Sequence, residues 1–308
     1  MNNIRERTVE IGSKKYLIAS DDSYIDNISN GFEPDTIRLF STLVNKGDVI
    51  LDIGANIGCT AIYFGDTCTS VHAFEPSPTT FSYLKNNISK SGMNNITLHN
   101  FAIGSEPGES TITFSPDNRS GGFVSDKTQA SIGHTVEQID VRRLDDTINS
   151  LEINYVDFIK IDVEGFEWHV LDGGRETLNQ FQPLVVLELN HWCLNAFQRT
   201  SVPDFFDNLR SVSLILFAVD GNNYMNLHNP DDSYIVMYHH IVNMRFPNIV
   251  AGFDGERLTQ FRQHHVHGFN PHHTEPIEEK PVEEKHAQDS KSVPMSIFNK
   301  LKRVLSSH

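Results

Sequence analysis

An α/β fold built on an open, mostly parallel sheet is what this chain predicts, on three observations. Short apolar runs alternate with stretches of helical periodicity. The run Val49 to Ile53 ends in a glycine turn that opens a helix, and a second run, Ser70 to Phe74, ends in an acid, Glu75. Strand, turn and helix repeated in that order place parallel strands side by side, with helices on the faces.

The elements follow in chain order. Residues 7–19 alternate weakly and predict a small hairpin. Glu33 to Val44 reads as a helix with Pro34 in its first turn. After the first core strand, Val49 to Ile53, a helix runs from Gly58 to about Phe64. Beyond the second strand, Ser77 and Pro78 supply an N-cap and a first-turn proline for a helix whose Phe81, Leu84 and Ile88 share one face. Asn94 and Asn95 turn the chain into a third strand, Ile96 to Phe101. Thr111 to Phe114 predicts an antiparallel excursion, and Arg119 to Gly122 a flexible loop long enough to lie over a site. The fourth strand, Phe158 to Ile161, runs into Asp162-Val-Glu164-Gly165 and a helix carrying Trp168, Val170 and Leu171. Leu184 to Leu189 is the fifth strand, Leu214 to Val219 the sixth and Tyr234 to Tyr238 the seventh, the last two joined by a hairpin-like link. The result is a seven-stranded, mostly parallel sheet with an antiparallel last strand, the architecture of a Rossmann-like class I methyltransferase.

Composition divides the chain into a lead-in segment and helix (1–45), a main domain (46–250), a linker (251–294) and a terminal element (295–308). From 270 to 294, Pro, Glu, Lys, His and Ser displace large apolar residues, which predicts disorder. In the last stretch Ile297, Phe298, Leu301, Val304 and Leu305 fall at helical spacing, with Lys300, Lys302 and Arg303 between them. Such a basic amphipathic helix suits weak membrane contact, or docking on a protein surface.

Net charge is −15, and residues 271–308 hold six acids and six bases, so 34 acids against 19 bases lie before them. That excess argues against a nucleic-acid partner. Cys59, Cys68 and Cys193 lack metal or redox spacing. The opening residues lack a hydrophobic signal core and no run approaches a membrane span, so a cytoplasmic protein is expected, peripheral at the inner membrane face if its last helix binds lipid.

Chemistry concentrates where strands end, because ligands of open α/β sheets bind beyond the carboxyl ends of the strands. Gly54 and Gly58 clear space where the backbone turns and a ligand approaches, between Asp52 and Asn56. Glu75 stands where such sheets place the acid that accepts hydrogen bonds from ribose hydroxyls. The glycine spacing departs from the dinucleotide fingerprint, so a cofactor without phosphates fits better, S-adenosylmethionine first among them. Asn100 and Phe101 end the third strand, Asp162 and Glu164 follow the fourth, and Glu188, Asn190 and His191 follow the fifth. Methyl transfer to a hydroxyl needs a base. Asp162, Glu164, Glu188 or His191 could supply it, or Asp162, Glu164 and Glu188 could hold Mg²⁺, which prefers oxygen ligands and acidifies a bound hydroxyl. Asp162 could instead only cap a helix. Of the remaining histidines, His239 and His240, ending the expected last strand, are the pair of interest.

The strings LDIGANIG at 51–58, FEP at 74–76, AIG at 102–104, RRLDD at 142–146 and KIDVEGFE at 160–167 resemble the FkbM-type S-adenosylmethionine-dependent methyltransferases over roughly residues 30–192. The resemblance implies O-methylation, with sugars, Nod-factor fucose and macrolide or polyketide products as the family's acceptors. It also implies that Asp52, Gly54, Asn56 and Gly58 form the cofactor loop, that Glu75 is the ribose acid, and that Asp162 and Glu164 form the acidic fourth-strand motif. Phe32-Glu33-Pro34 looks like the family's opening segment, whereas nothing after about 200 matches. The expected partner is a small-molecule or glycan acceptor, such as a sugar hydroxyl of a cell-surface glycan or its lipid-linked precursor. The rivals are a soluble secondary metabolite as acceptor, and a noncatalytic cofactor-binding assembly subunit.

Overall fold

The computed structural model describes residues 4–128, 133–212 and 214–269. Strands β1 (Arg5–Ile11) and β2 (Lys14–Ser20) form the expected antiparallel hairpin. The central sheet then starts with β3 (Val49–Ile53), β4 (Ser70–Phe74) and β5 (Ile96–His99), all parallel. Four strands leave that layer: β6 (Ala102–Gly104), β7 (Gly108–Ser115), β8 (Asn118–Val124) and β9 (Thr135–Arg143) make a second sheet ordered β6-β9-β7-β8. The chain returns with β10 (Phe158–Ile161) beside β3 and β11 (Leu184–Glu188) beside β10. The remaining strands are β12 (Ile215–Asp220), β13 (Asn223–Asn226), β14 (Asn248–Gly252) and β15 (Val266–His267). The central sheet is ordered β15-β13-β12-β14-β11-β10-β3-β4-β5, and β14 runs antiparallel to both β11 and β12.

Local chemistry explains most of these elements. The parallel strands are buried on both faces and read as continuous apolar runs. Side chains alternate between two cores: Ile50, Phe158 and Leu184 pack on one face with Phe40 and Phe64. Leu51, Ile159 and Val185 pack on the other with Phe205 and Phe206. The helix Pro78–Ser91 starts where Ser77 Oγ accepts from Thr80 N–H at 3.1 Å and stops at Gly92, φ 74°.

Several expectations need correcting. Among the described residues the central sheet has nine strands, not seven. Tyr234 to Tyr238 is not a strand but part of the helix Pro230–Asn243, nucleated by Pro230 and by the Asn229 side chain, which accepts from Asp231 and Asp232 N–H at 2.8 and 3.3 Å. Three strands, β13, β14 and β15, run against the others instead, and His239 and His240 sit on that helix. The third strand ends at His99, and residues 102–104 pair with β9 in the other sheet. Arg119 to Gly122 is not a loop but part of β8. Residues 251–269, expected to begin a linker, complete β14, form the helix Glu256–His264 and add β15 to the sheet. The expected disorder from 270 and the amphipathic helix at 295–308 lie outside the described residues. Among the described residues no helix is long and apolar enough to cross a membrane.

Candidate active site

The carboxyl ends of β3, β4, β10 and β11 open into a cleft of about 1010 Å³ of empty space, its mouth included. Ile53, Gly54, Phe74 and Glu75 form its floor; Ile112, Phe114 and Val124 of the second sheet form a wall; Tyr24 and Glu33 border it from the N-terminal side.

At one end the backbone shapes the space. Gly54 has φ +81°, and a Cβ there would lie 1.8 Å from the Asp162 carbonyl oxygen, so only glycine fits. Asn56, at φ 49°, turns its N–H to Glu75 Oε2 at 3.1 Å, and Ser77 N–H donates to Oε1 at 2.9 Å. The carboxylate is thereby fixed in plane, and each oxygen keeps a lone pair for a ligand hydroxyl. Burial pushes Glu75 up to about 7, against the pull of the Ser77 and Asn56 donors and of Lys160. Phe101 lines the same end. Asn100 does not; its amide donates to the Glu75 and Pro76 carbonyls at 2.9 and 3.0 Å and braces the loop behind the acid. Gly58 is also outside the lining, and its φ of +101° and a Cβ position 2.7 Å from Leu84 make it a turn and helix-packing glycine.

At the other end the carboxylates of Asp162, Glu164 and Glu188 converge, with one oxygen of each within 4.8 Å of the others. Glu164 has φ 53° and accepts from the Cys193 thiol at 2.9 Å. Glu188 Oε2 is buried without a hydrogen-bond partner. Burial first, and the Asp162 charge second, raise Glu164 and Glu188 above the usual carboxylate range, and each retains a proton more readily than a solvated acid. Glu167, 1% exposed, accepts from Val163 and Gly165 N–H at 3.2 and 3.0 Å, which fixes the turn that presents Glu164. Its own burial pushes it up to about 8.

Lys160 joins the two ends. Its Nζ donates to the Gly54 carbonyl at 2.7 Å and lies 3.3 Å from Asp52 Oδ1 and 3.6 Å from Asp162 Oδ2. Burial alone would lower the ammonium, but Asp52, Asp162 and Glu33 outweigh it and hold the group charged. Asp52 is fully buried, accepts from Thr60 Oγ1 at 2.7 Å and is not part of the cleft lining. Its place is that of an anchor for Lys160, not of a direct cofactor contact.

The cleft thus brings together Gly54, Asn56, Glu75, Phe101, Asp162, Glu164 and Glu188, and leaves out Asp52, Gly58, Asn100 and His191. His191 does not fit the expected base: its backbone N–H donates to His240 Nε2 at 3.1 Å and its ring packs edge-on against His240, away from the lining. His240 is fully buried, pairs through Nδ1 with the Arg245 carbonyl at 2.7 Å, and is pushed by burial down to about 4. It is a neutral structural imidazole. Lys160 and Glu167 carry no chemical motif of their own, although a single charge inside the apolar strand Phe-Ile-Lys160-Ile is itself a signal of a buried partner.

A family model, that of the methyltransferase FkbM domain, matches residues 52–215. The chain belongs to the FkbM methyltransferase family. Among curated relatives of this FkbM chain, the hexuronic acid methyltransferase AglP of Haloferax volcanii is 31% identical over 154 residues, covering 50% of the chain and 61% of the relative. The 31-O-demethyl-FK506 methyltransferase FkbM of Streptomyces tacrolimicus is 31% identical, covering 42% of the chain and 60% of the relative. The chain therefore spans less than two thirds of either relative's length. A solved FkbM methyltransferase from Methylobacillus flagellatus shares 18% identity at a TM-score of 0.42, over 68% of this chain and 44% of that one. Glu75, Lys160, Asp162, Glu164 and Glu188 all fall inside the FkbM match, whereas Tyr24 and Glu33 precede it and β14 follows it.

Proposed function

We propose that this FkbM protein is an S-adenosylmethionine-dependent O-methyltransferase acting on a sugar hydroxyl of a glycan or of its lipid-linked precursor. The observation that carries the reading is one continuous cleft with a backbone-fixed Glu75 at one end and three convergent acids at the other. The residues present fit the cofactor: the Gly54 position admits no Cβ, the Asn56 Oδ1 is buried without a partner, and Glu75 keeps acceptor capacity for two ribose hydroxyls. When bound, S-adenosylmethionine supplies a sulfonium-activated methyl group. Glu75 orients the ribose, and the turn at Gly54 and Asn56 holds the chain against the cofactor. The acid cluster receives the proton of the acceptor hydroxyl, and within it Glu188 has the free acceptor atom, an Oε2 that is buried without a hydrogen-bond partner. The relatives' names support both halves, one naming a hexuronic acid and the other an O-demethyl precursor.

The test is calorimetry with S-adenosylmethionine and with NAD on the wild type and Glu75→Ala. Micromolar S-adenosylmethionine affinity lost in the variant, with no NAD heat, supports the reading; a folded protein that takes up no S-adenosylmethionine refutes it. An acceptor screen follows, with and without Mg²⁺, because the three carboxylates are close enough to share a divalent cation. Membrane recruitment through the basic stretch 295–308 is part of the lipid-linked reading, and deletion of those residues without effect on vesicle binding removes that part.

A further inference from the structure

Arg119 lines the cleft, and its side chain is 8% exposed, as is that of its partner Asp21. Two guanidinium nitrogens donate to the two carboxylate oxygens, the fork geometry that arginine matches best. The guanidinium carbon lies 5.5 Å from the centroid of the Tyr83 ring and 5.7 Å from that of Phe114. Tyr83 follows Thr80 by about one turn on the helix Pro78–Ser91, and Thr80, Ser77 and Glu75 line the nucleoside half of the cleft. The ion pair therefore sits at that half.

Strand β8 is an edge of the second sheet, and an edge leaves backbone donors and acceptors in need of partners. Residues 22 and 23 supply them. Asp22 Oδ2 accepts from Arg119 N–H at 2.7 Å, and the Asp117 carbonyl accepts from Ser23 N–H at 2.8 Å and from Ser23 Oγ at 2.6 Å. Asp21 to Ser23 thus act as a strap across the start of β8. The strap is not fully compensated, since Arg119 Nε is buried without a hydrogen-bond partner.

We propose that Asp21 and Arg119 are positioning residues for the cofactor: their buried fork holds β8 over the nucleoside half of the cleft and must part for the nucleoside to enter or leave. This rests on the reading that the nucleoside occupies the Glu75 end. Separating the pair takes a buried guanidinium off the carboxylate that meets it with two hydrogen bonds, so parting it is slow compared with the motion of an exposed loop.

The experiment uses the full chain and S-adenosylhomocysteine, with dissociation followed by stopped flow and turnover measured alongside. Asp21→Asn and Arg119→Lys are expected to release the ligand at least tenfold faster and to raise KM for S-adenosylmethionine while kcat stays within twofold. Arg119→Lys, which keeps the charge, retains more affinity than Arg119→Ala. Folded variants that release the ligand at the wild-type rate overturn the proposal. Should the variants fail to fold, amide hydrogen exchange on the unmodified protein decides: exchange in residues 117–122 that slows on adding S-adenosylhomocysteine supports closure, and unchanged exchange despite saturation overturns it. A wild type that binds neither ligand overturns the cofactor reading itself and this proposal with it.

Discussion

Lowering the pH should weaken cofactor binding through one named carboxylate. Burial pushes Glu75 up to about 7 in the free protein, so its ionised fraction falls from about nine tenths at pH 8 to about one tenth at pH 6. Ribose hydroxyls donate to the ionised form, which lowers the pKa of Glu75 in the complex. Affinity therefore rises with pH until about 7 and levels above it. The expected change in Kd between pH 8 and pH 6 is about tenfold, or about 1.4 kcal/mol, and binding near pH 6 should release close to one proton. Calorimetry in buffers of different ionisation enthalpy measures both quantities. Glu75→Gln provides the control, because it removes the titrating group and leaves in place Lys160, the cofactor's own amine and the nearby Glu137, which accepts from Ser77 Oγ at 2.6 Å. A wild-type Kd that changes less than twofold over this range, or a variant with the same slope as the wild type, would refute the assignment of Glu75 to the ribose.

Three further outcomes follow from the same geometry. Lys160→Met strands a fully buried Asp52 and the Gly54 carbonyl, so urea unfolding should show a loss of about 3–5 kcal/mol. Glu167, pushed up to about 8, favours the folded state below the ordinary glutamate pKa and loses that advantage as pH rises toward 8. Glu167→Gln should therefore flatten the decline in melting temperature between pH 5 and 8, and an unchanged decline would count against the buried acid as its source. Glu188→Gln should lower kcat by about 10²–10⁴ with cofactor affinity within a few fold, read from turnover and calorimetry together; a kcat within threefold of wild type would remove Glu188 from the proton path.

Much of the central sheet was legible because its signals are local. Val49 to Ile53 and Ser70 to Phe74 are apolar runs closed by a turn glycine and an acid, and the Ser77-Pro78 cap states where the next helix begins. Tyr234 to Tyr238 misled because the helix that contains it is apolar on both sides: Val236 and His240 are buried, while Tyr234, Tyr238, Ile241 and Val242 are exposed, so no helical stripe stands out. The Asn229-Pro230-Asp231-Asp232 start was the better guide. Arg119 to Gly122 reads as a loop from its serine and glycines, and what makes it a strand is pairing with β7 and the strap from residues nearly a hundred positions earlier. The candidate site shows the same division. Gly54 and Glu75 declare themselves by spacing, but only tertiary structure separates the acids that face the cleft from Asp52, which faces Lys160 inside the sheet.

The position of β14 changes what counts as a unit of this protein. It arrives after residue 247 yet lies between β11 and β12, hydrogen-bonded to both. The family match, 52–215, therefore ends before the strand that covers β11 has been made. A chain trimmed to that stretch would carry Val185, Val186 and Leu187 on an open, apolar sheet margin, which is a recipe for self-association. During synthesis the same margin stays open until the last strands emerge, so completing the sheet beside Glu188 waits on residues that lie beyond the family match.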